Sequence, residues 1–161
     1  MPSILERLKS DEVVFLDGAV GTEIQRRGAP MSDVDWAATA NETHPDIVRQ
    51  VHEEYIYAGA DIVTTNTFTT RRDMLEPAGK GDRVREVNMK AVGLVREARE
   101  NVGADRPIWV AGSISTRGTV GADDKNLPML DVMRANYQEQ ADALAAGGAD
   151  LILLEMMCGV D

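Results

Sequence analysis

Four short apolar runs punctuate the chain, at residues 13–16, 62–65, 108–111 and 151–154. Each is apolar or β-branched nearly throughout, with no polar alternation. Such runs suit strands covered on both faces, as in a parallel sheet. Between them the apolar period lengthens to that of a helix. Ile47, Val51, Tyr55 and Ala58 share one face, and Pro45 stands where a first helical turn tolerates it. Val84, Val87, Ala91, Val95 and Ala98 form a second stripe, and Leu130, Met133, Tyr137, Ala141 and Leu144 a third. Gly59 and the pair Gly147-Gly148 follow two of these stripes and read as helix stops. The order strand, helix, strand, helix, strand, helix, strand predicts βαβ units and an α/β fold with a parallel sheet.

An internal echo supports this order. Gly59-Ala60-Asp61 leads into Ile62, Val63 and then Asn66, while Gly148-Ala149-Asp150 leads into Leu151, Ile152 and then Glu155. The two segments align without a gap. Gly-Ala-Asp is a common helix-to-strand turn, which accounts for the turns themselves. It does not account for the polar residues at matching strand ends. The strands recur at intervals of roughly 45 residues, against about 30 for a minimal unit. The excess falls in the loops at 28–43, 69–82 and 116–128, which follow strands and so belong to the functional face of a parallel fold.

Composition narrows the partners. The chain has 161 residues, 43% hydrophobic and 27% charged, which is a soluble globular balance for one domain. Its formal charge of −10 repels phosphate backbones and anionic lipid, so no nucleic acid and no membrane is expected as a partner. The apolar runs are strand-sized, and the opening residues lack a signal-peptide core. With a single cysteine, Cys158, no internal disulfide can form, and a cytoplasmic location is expected.

Polar residues cluster where the strands end. The first run closes in Asp17-Gly18-Ala19-Val20-Gly21-Thr22-Glu23, the second in Thr64-Thr65-Asn66-Thr67-Phe68, the third in Gly112-Ser113-Ile114-Ser115 and the fourth in Glu155. In a barrel these ends converge at the top of the sheet. Asp17 and Glu155 suit a ligand ammonium, since paired charges survive partial burial where lone ones do not. Gly18 and Gly21 would admit close backbone approach, and amides at the next helix start could hold a carboxylate. An amino acid carries both charges. Either carboxylate alone also serves as a helix N-cap or a solvated strand end, and Asn66 as a turn residue. The two carboxylates at strand ends of one sheet favour a site.

The segment from Leu16-Asp17-Gly18 through Gln25-Arg26-Arg27-Gly28 resembles the opening motif of homocysteine S-methyltransferases. His44-Pro45-Asp46-Ile47-Val48, His52-Glu53-Glu54-Tyr55, Ala58-Gly59-Ala60-Asp61-Ile62-Val63-Thr64-Thr65-Asn66-Thr67-Phe68, Val110-Ala111-Gly112-Ser113-Ile114 and Ala149-Asp150-Leu151-Ile152-Leu153-Leu154-Glu155 continue the likeness in order. The resemblance implies a (β/α)8 barrel enzyme that moves a methyl group onto the thiol of homocysteine, giving methionine. It implies that Asp17 and Gly18 contact homocysteine or a similar small amino acid, that Thr65 and Asn66 line the pocket, and that Glu155 holds the amino group. Donors differ among family members, so the methyl donor is left open.

The family activates the thiol with Zn2+ held by three cysteines that follow the fourth strand. A bound zinc lowers a thiol's pKa and delivers a thiolate at neutral pH. This chain runs only to Asp161, and Cys158 matches none of those ligands. The resemblance therefore implies zinc in full-length members and no metal bound by this chain alone. Cys158 reads as a small apolar residue near a strand end. His44 and His52 read as a loop and a helix residue. The expectation is a single half-barrel domain over residues 1–161, with strands near 13–17, 61–66, 108–113 and 151–155. Four units cannot close a barrel, so a homo-oligomer or a missing C-terminal half is expected to cover the open edges. The alternative function is a non-catalytic amino-acid-binding or oligomerising half-barrel module.

Overall fold

The computed structural model describes residues 3–33, 35–116 and 130–157. Its elements run α1 (Ile4–Leu8), α2 (Val20–Arg26), α3 (Ala40–Thr43), α4 (Pro45–Tyr57), β1 (Ile62–Thr64), α5 (Arg72–Leu75), α6 (Val84–Val102), β2 (Trp109–Ser115), α7 (Leu130–Gly147) and β3 (Leu151–Glu155), with two short 3-10 turns between α5 and α6. The three strands form one parallel sheet in the order β1-β2-β3. Ile62 faces Trp109 across the first pair, and Ser115 faces Glu155 at the end of the second. β2 is central and buried along its whole length, as its apolar run requires.

The first apolar run builds no ladder. It lies extended and parallel beside β1 through a single bridge, Leu16 to Ile62. The Asp17 N–H donates to Ile62 O and the Ile62 N–H to Phe15 O, each at 3.0 Å. The Phe15 N–H is instead taken by the Asp61 carboxylate at 3.1 Å, which stops the ladder there.

The core lies in layers on the two sides of this sheet. Val63, Val110 and Ile114 pack on Ile56 of α4, Val92, Val95 and Ala98 of α6, and Leu144 of α7. On the other face Ile62, Trp109 and Ala111 meet Ile4, Val14, Leu151 and Leu153. A third cluster joins α2 to α4 and α6 through Ile24, Val48, Val51 and Leu94. At about 25 cal/mol per Å² of apolar surface removed from water, these clusters dominate the stability.

The Gly-Ala-Asp echo has a structural basis. Gly59 (φ +110°) and Gly148 (φ +94°) both adopt the left-handed region just past a helix. Ala60 N–H donates back to Tyr55 O and Gly59 N–H to Ile56 O; Ala149 and Gly148 repeat this with Leu144 O and Ala145 O. These are two Schellman caps. Each following aspartate then grips the preceding strand. The Asp61 N–H and carboxylate engage Phe15 O and N, and the Asp150 N–H and carboxylate engage Val110 O and N. Arg106 and Arg99 brace the two carboxylates at 3.0 and 3.3 Å.

His52 on α4 is fully buried, and among the described residues neither ring nitrogen has a hydrogen-bond partner. Burial holds the ring neutral and pushes its pKa from 6.5 down to about 3. The unfolded chain takes up this proton below about 6.5, the folded chain only near 3. His52 thus costs nothing above pH 6.5 and drains stability as pH falls toward 3, by about 1.4 kcal/mol per unit. Urea unfolding at pH 7 and pH 5 should show His52→Leu gaining about 2 kcal/mol on the wild type over that interval. An unchanged gap would show that the imidazole titrates freely.

Candidate functional site

A cavity of about 530 Å³ opens at the carboxyl ends of the strands. Asp17, Gly18, Thr65, Asn66 and Glu155 all line it, with Leu16, Thr64, Trp36, Phe68 and the start of α2. Each polar member is held by a defined partner. Asp17 Oδ1 accepts from Thr64 Oγ1 at 2.7 Å and Oδ2 from the Thr64 N–H at 2.8 Å. Burial raises the Asp17 carboxyl to about 6, against the Thr64 hydrogen bonds, and the Glu155 charge adds to the rise. Glu155 ends β3, and its Oε2 accepts a short hydrogen bond from Ser113 Oγ.

Thr65 sits in a closed ring of hydrogen bonds. The Ser113 N–H donates to Thr65 Oγ1 at 3.1 Å, and Thr67 Oγ1 donates to Ser113 O at 2.8 Å. The two threonine hydroxyls lie 2.7 Å apart. A hydroxyl has one proton. Thr67 has given its proton to Ser113 O, so Thr65 must donate to Thr67. Asn66 is similarly committed: its Nδ2 donates to Ala37 O (2.8 Å) and Asn41 Oδ1 (3.1 Å), while Asn41 Nδ2 donates to Asn66 O (2.8 Å).

The glycines serve packing. A Cβ at Gly18 would stand 2.9 Å from the Tyr55 hydroxyl, and one at Gly21 would stand 2.8 Å from Trp36 Nε1. The expected close approach is thus made by side chains of the protein. Trp36 has φ +53°, a conformation that costs a bulky residue energy unless its surroundings impose it. Asp35 imposes it. Its buried carboxylate accepts from the Ser32 and Thr39 hydroxyls and lies 3.7 Å from Lys80 Nζ, and its carbonyl accepts from Thr69 Oγ1 at 2.7 Å.

Thr64, Ser113, Trp36, Asn41 and Thr67 were not singled out from the sequence. Thr64 and Ser113 belong to the polar strand ends and were visible there. Trp36 lies in a long loop without periodic signal. Residues 117–129, which hold most of the loop after β2, lie outside the described residues, as does Cys158. Among the described residues no three His, Cys, Asp or Glu side chains come together as a metal site. The described residues therefore offer no ligand set for a zinc centre. Nor is any described helix long and apolar enough to cross a membrane.

The chain thus combines a parallel α/β sheet with carboxylates, hydroxyls and a carboxamide gathered at its strand ends around one cavity. A sequence model of the homocysteine S-methyltransferase family matches residues 14–161, and the chain belongs to that family. It is 35% identical over 156 residues to a methionine synthase of Mycobacterium tuberculosis, covering 91% of this chain and 12% of that protein. It is 31% identical to a homocysteine S-methyltransferase of Escherichia coli, covering 93% of this chain and 52% of that protein. The crystal structure of the homocysteine methyltransferase MmuM from Escherichia coli in its metallated form superimposes with a TM-score of 0.81 at 28% identity, over 94% of this chain and 56% of that one. The chain thus spans about half the length of the homocysteine methyltransferases it matches and about an eighth of the synthase.

Asn41 stands behind the cavity wall and holds Asn66 in it. Asn41→Ala leaves Asn66 O and Nδ2 each short of a partner in a buried setting and should cost about 1–3 kcal/mol. The urea midpoint reads this directly, and a loss below about 0.5 kcal/mol would mean that water replaces the amide.

Proposed function

We propose that this chain is the amino-acid-binding half of a homocysteine S-methyltransferase barrel, (β/α)4 in extent, acting on homocysteine in the cytoplasm. One observation carries the reading: four side chains of the cavity wall, Asp17, Thr65, Asn66 and Glu155, have acceptor capacity left and no protons to give. Thr65 has spent its proton on Thr67, and Asn66 both of its amide protons on Ala37 and Asn41. Asp17 is a carboxylate above pH 6, and among the described residues Glu155 accepts from the Ser113 hydroxyl. Such a set matches a group made of donors, and an ammonium offers three. The ligand carboxylate would lie toward the first turn of α2, whose N-cap residue Ala19 offers no capping side chain. Relatives named for homocysteine methylation and the metallated neighbour support the substrate class and the expectation of Zn2+ in full-length members. No step of methyl transfer is assigned to this chain's own residues. Alone it binds the amino acid without turning it over.

Calorimetric titration with homocysteine tests this, with metal content measured on the same sample. Zinc-free chain should bind, and Glu155→Ala should weaken binding about tenfold or more, the scale of a charge-assisted hydrogen bond. Affinity should rise between pH 5 and 7 as Asp17 loses its proton near 6, then level off, and Asp17→Asn should remove that slope. A well-folded chain that ignores homocysteine refutes the reading.

The sheet ends openly. β3 is an edge strand with Leu154 62% and Ile152 37% exposed, and at the other edge Val13 and Phe15 are more than 60% exposed. A second copy or a C-terminal half is expected to cover these edges. Sedimentation of the purified chain should show self-association, or a complex when the second half of a relative is supplied. A compact monomer that binds no hydrophobic dye would overturn this.

A further inference from the structure

Glu155 stands at the end of an edge strand on a side chain with several rotatable bonds. A carboxylate so placed samples many rotamers unless something aims it. The residue after it, Met156, turns the chain away with φ +51°, so the backbone direction at the strand end is fixed. The side chain is fixed separately. In the sheet register Ser113 pairs with Leu153 and Ser115 with Glu155. Ser113 thus reaches Glu155 along the diagonal, two residues on.

We propose that Ser113 is the positioning residue that aims the Glu155 carboxylate at the ligand's ammonium; this rests on the amino-acid reading of the site. Ser113 is fully buried, and its own backbone cannot move freely. Its N–H is held by Thr65 Oγ1 and its carbonyl by Thr67 Oγ1, which are joined to each other. Behind the ring, Gln140 Nε2 of α7 donates to Thr67 O at 2.8 Å and to Thr70 Oγ1 at 3.0 Å, and Thr70 Oγ1 contacts Asn88 Oδ1 of α6 at 2.7 Å. Asn88 returns Nδ2 to Thr70 O and Val84 O. The buried polar chain therefore runs from two helices through the threonines that follow β1 to β2, and ends on one carboxylate in the cavity. Such networks rigidify as their polar groups are satisfied; in this one, among the described residues, Gln140 Oε1 is the buried side-chain atom left without a partner. Here they make the direction of Glu155 a property of the helix layer.

The test compares homocysteine with its des-amino analogue, 4-mercaptobutanoate, on the full 161-residue chain. Ser113→Ala should weaken homocysteine about tenfold and leave 4-mercaptobutanoate within about twofold, because only the former presents an ammonium to Glu155. In a Glu155→Gln background the same substitution should cost less than about twofold. Thr67→Val, isosteric and one step further back, should show the same preference for harming homocysteine, and it carries the test if Ser113→Ala does not fold. Equal losses for both ligands, or equal losses in both backgrounds, would reduce Ser113 to a structural residue and overturn the proposal. If Glu155→Gln weakens homocysteine while Ser113→Ala and Thr67→Val do not, the positioning role alone falls. If folded wild type binds no homocysteine, the amino-acid reading falls and takes this proposal with it.

Discussion

Two aspartates set the register on which everything else rests. Asp61 and Asp150 each leave a helix through a left-handed glycine and immediately grip the preceding strand by both its N–H and its C=O. A parallel sheet needs long crossovers, and a slip of one residue would turn every inward side chain outward. The grips prevent that slip at the entry of each strand. At the other end, Asp17, Thr65, Ser113 and Glu155 arrive within reach of one cavity only because the entries are pinned. Stability work and recognition work are thus divided between opposite ends of the same strands.

Much of this was readable along the chain, for physical reasons that differ by element. The stripe from Val84 to Ala98 predicts α6 because a long amphipathic helix repeats its signal many times. The runs that became β1 and β2 are legible because a strand buried on both faces has no polar positions to spare, and the run of β3 is as apolar although one of its faces is exposed. The segment at 13–16 carries the same composition, but the Asp61 carboxylate takes its Phe15 N–H, and it makes a bridge instead of a ladder. Sequence shows apolar content; it does not show how many partners a strand will have.

The site divides in the same way. Asp17, Gly18, Thr65, Asn66 and Glu155 stand out as polar or small residues where apolar runs stop, and all five line the cavity. The service of Ser113 to Glu155 is a diagonal relation across a register, which no single strand encodes. Trp36 owes its place to a positive φ and to the surrounding Asp35 clasp. The roles of the two glycines also depend on distant aromatic rings, so the motif reveals that small residues are needed without revealing what they make room for.

The direction of the protons in the Thr65–Thr67–Ser113 ring has an outcome for selectivity. A wall on which Asp17, Thr65, Asn66 and Glu155 present only lone pairs sorts molecules by how many hydrogens they carry, before shape is considered. An oxo acid with the carbon skeleton of homocysteine would fit the same volume and present lone pairs to lone pairs, a mismatch that buried polar groups penalise heavily. Below pH 6 the raised Asp17 carboxyl gains a proton and becomes a donor among these four groups. Acidification therefore blurs the filter: it relaxes the rejection of the oxo acid while it weakens the hold on the amine.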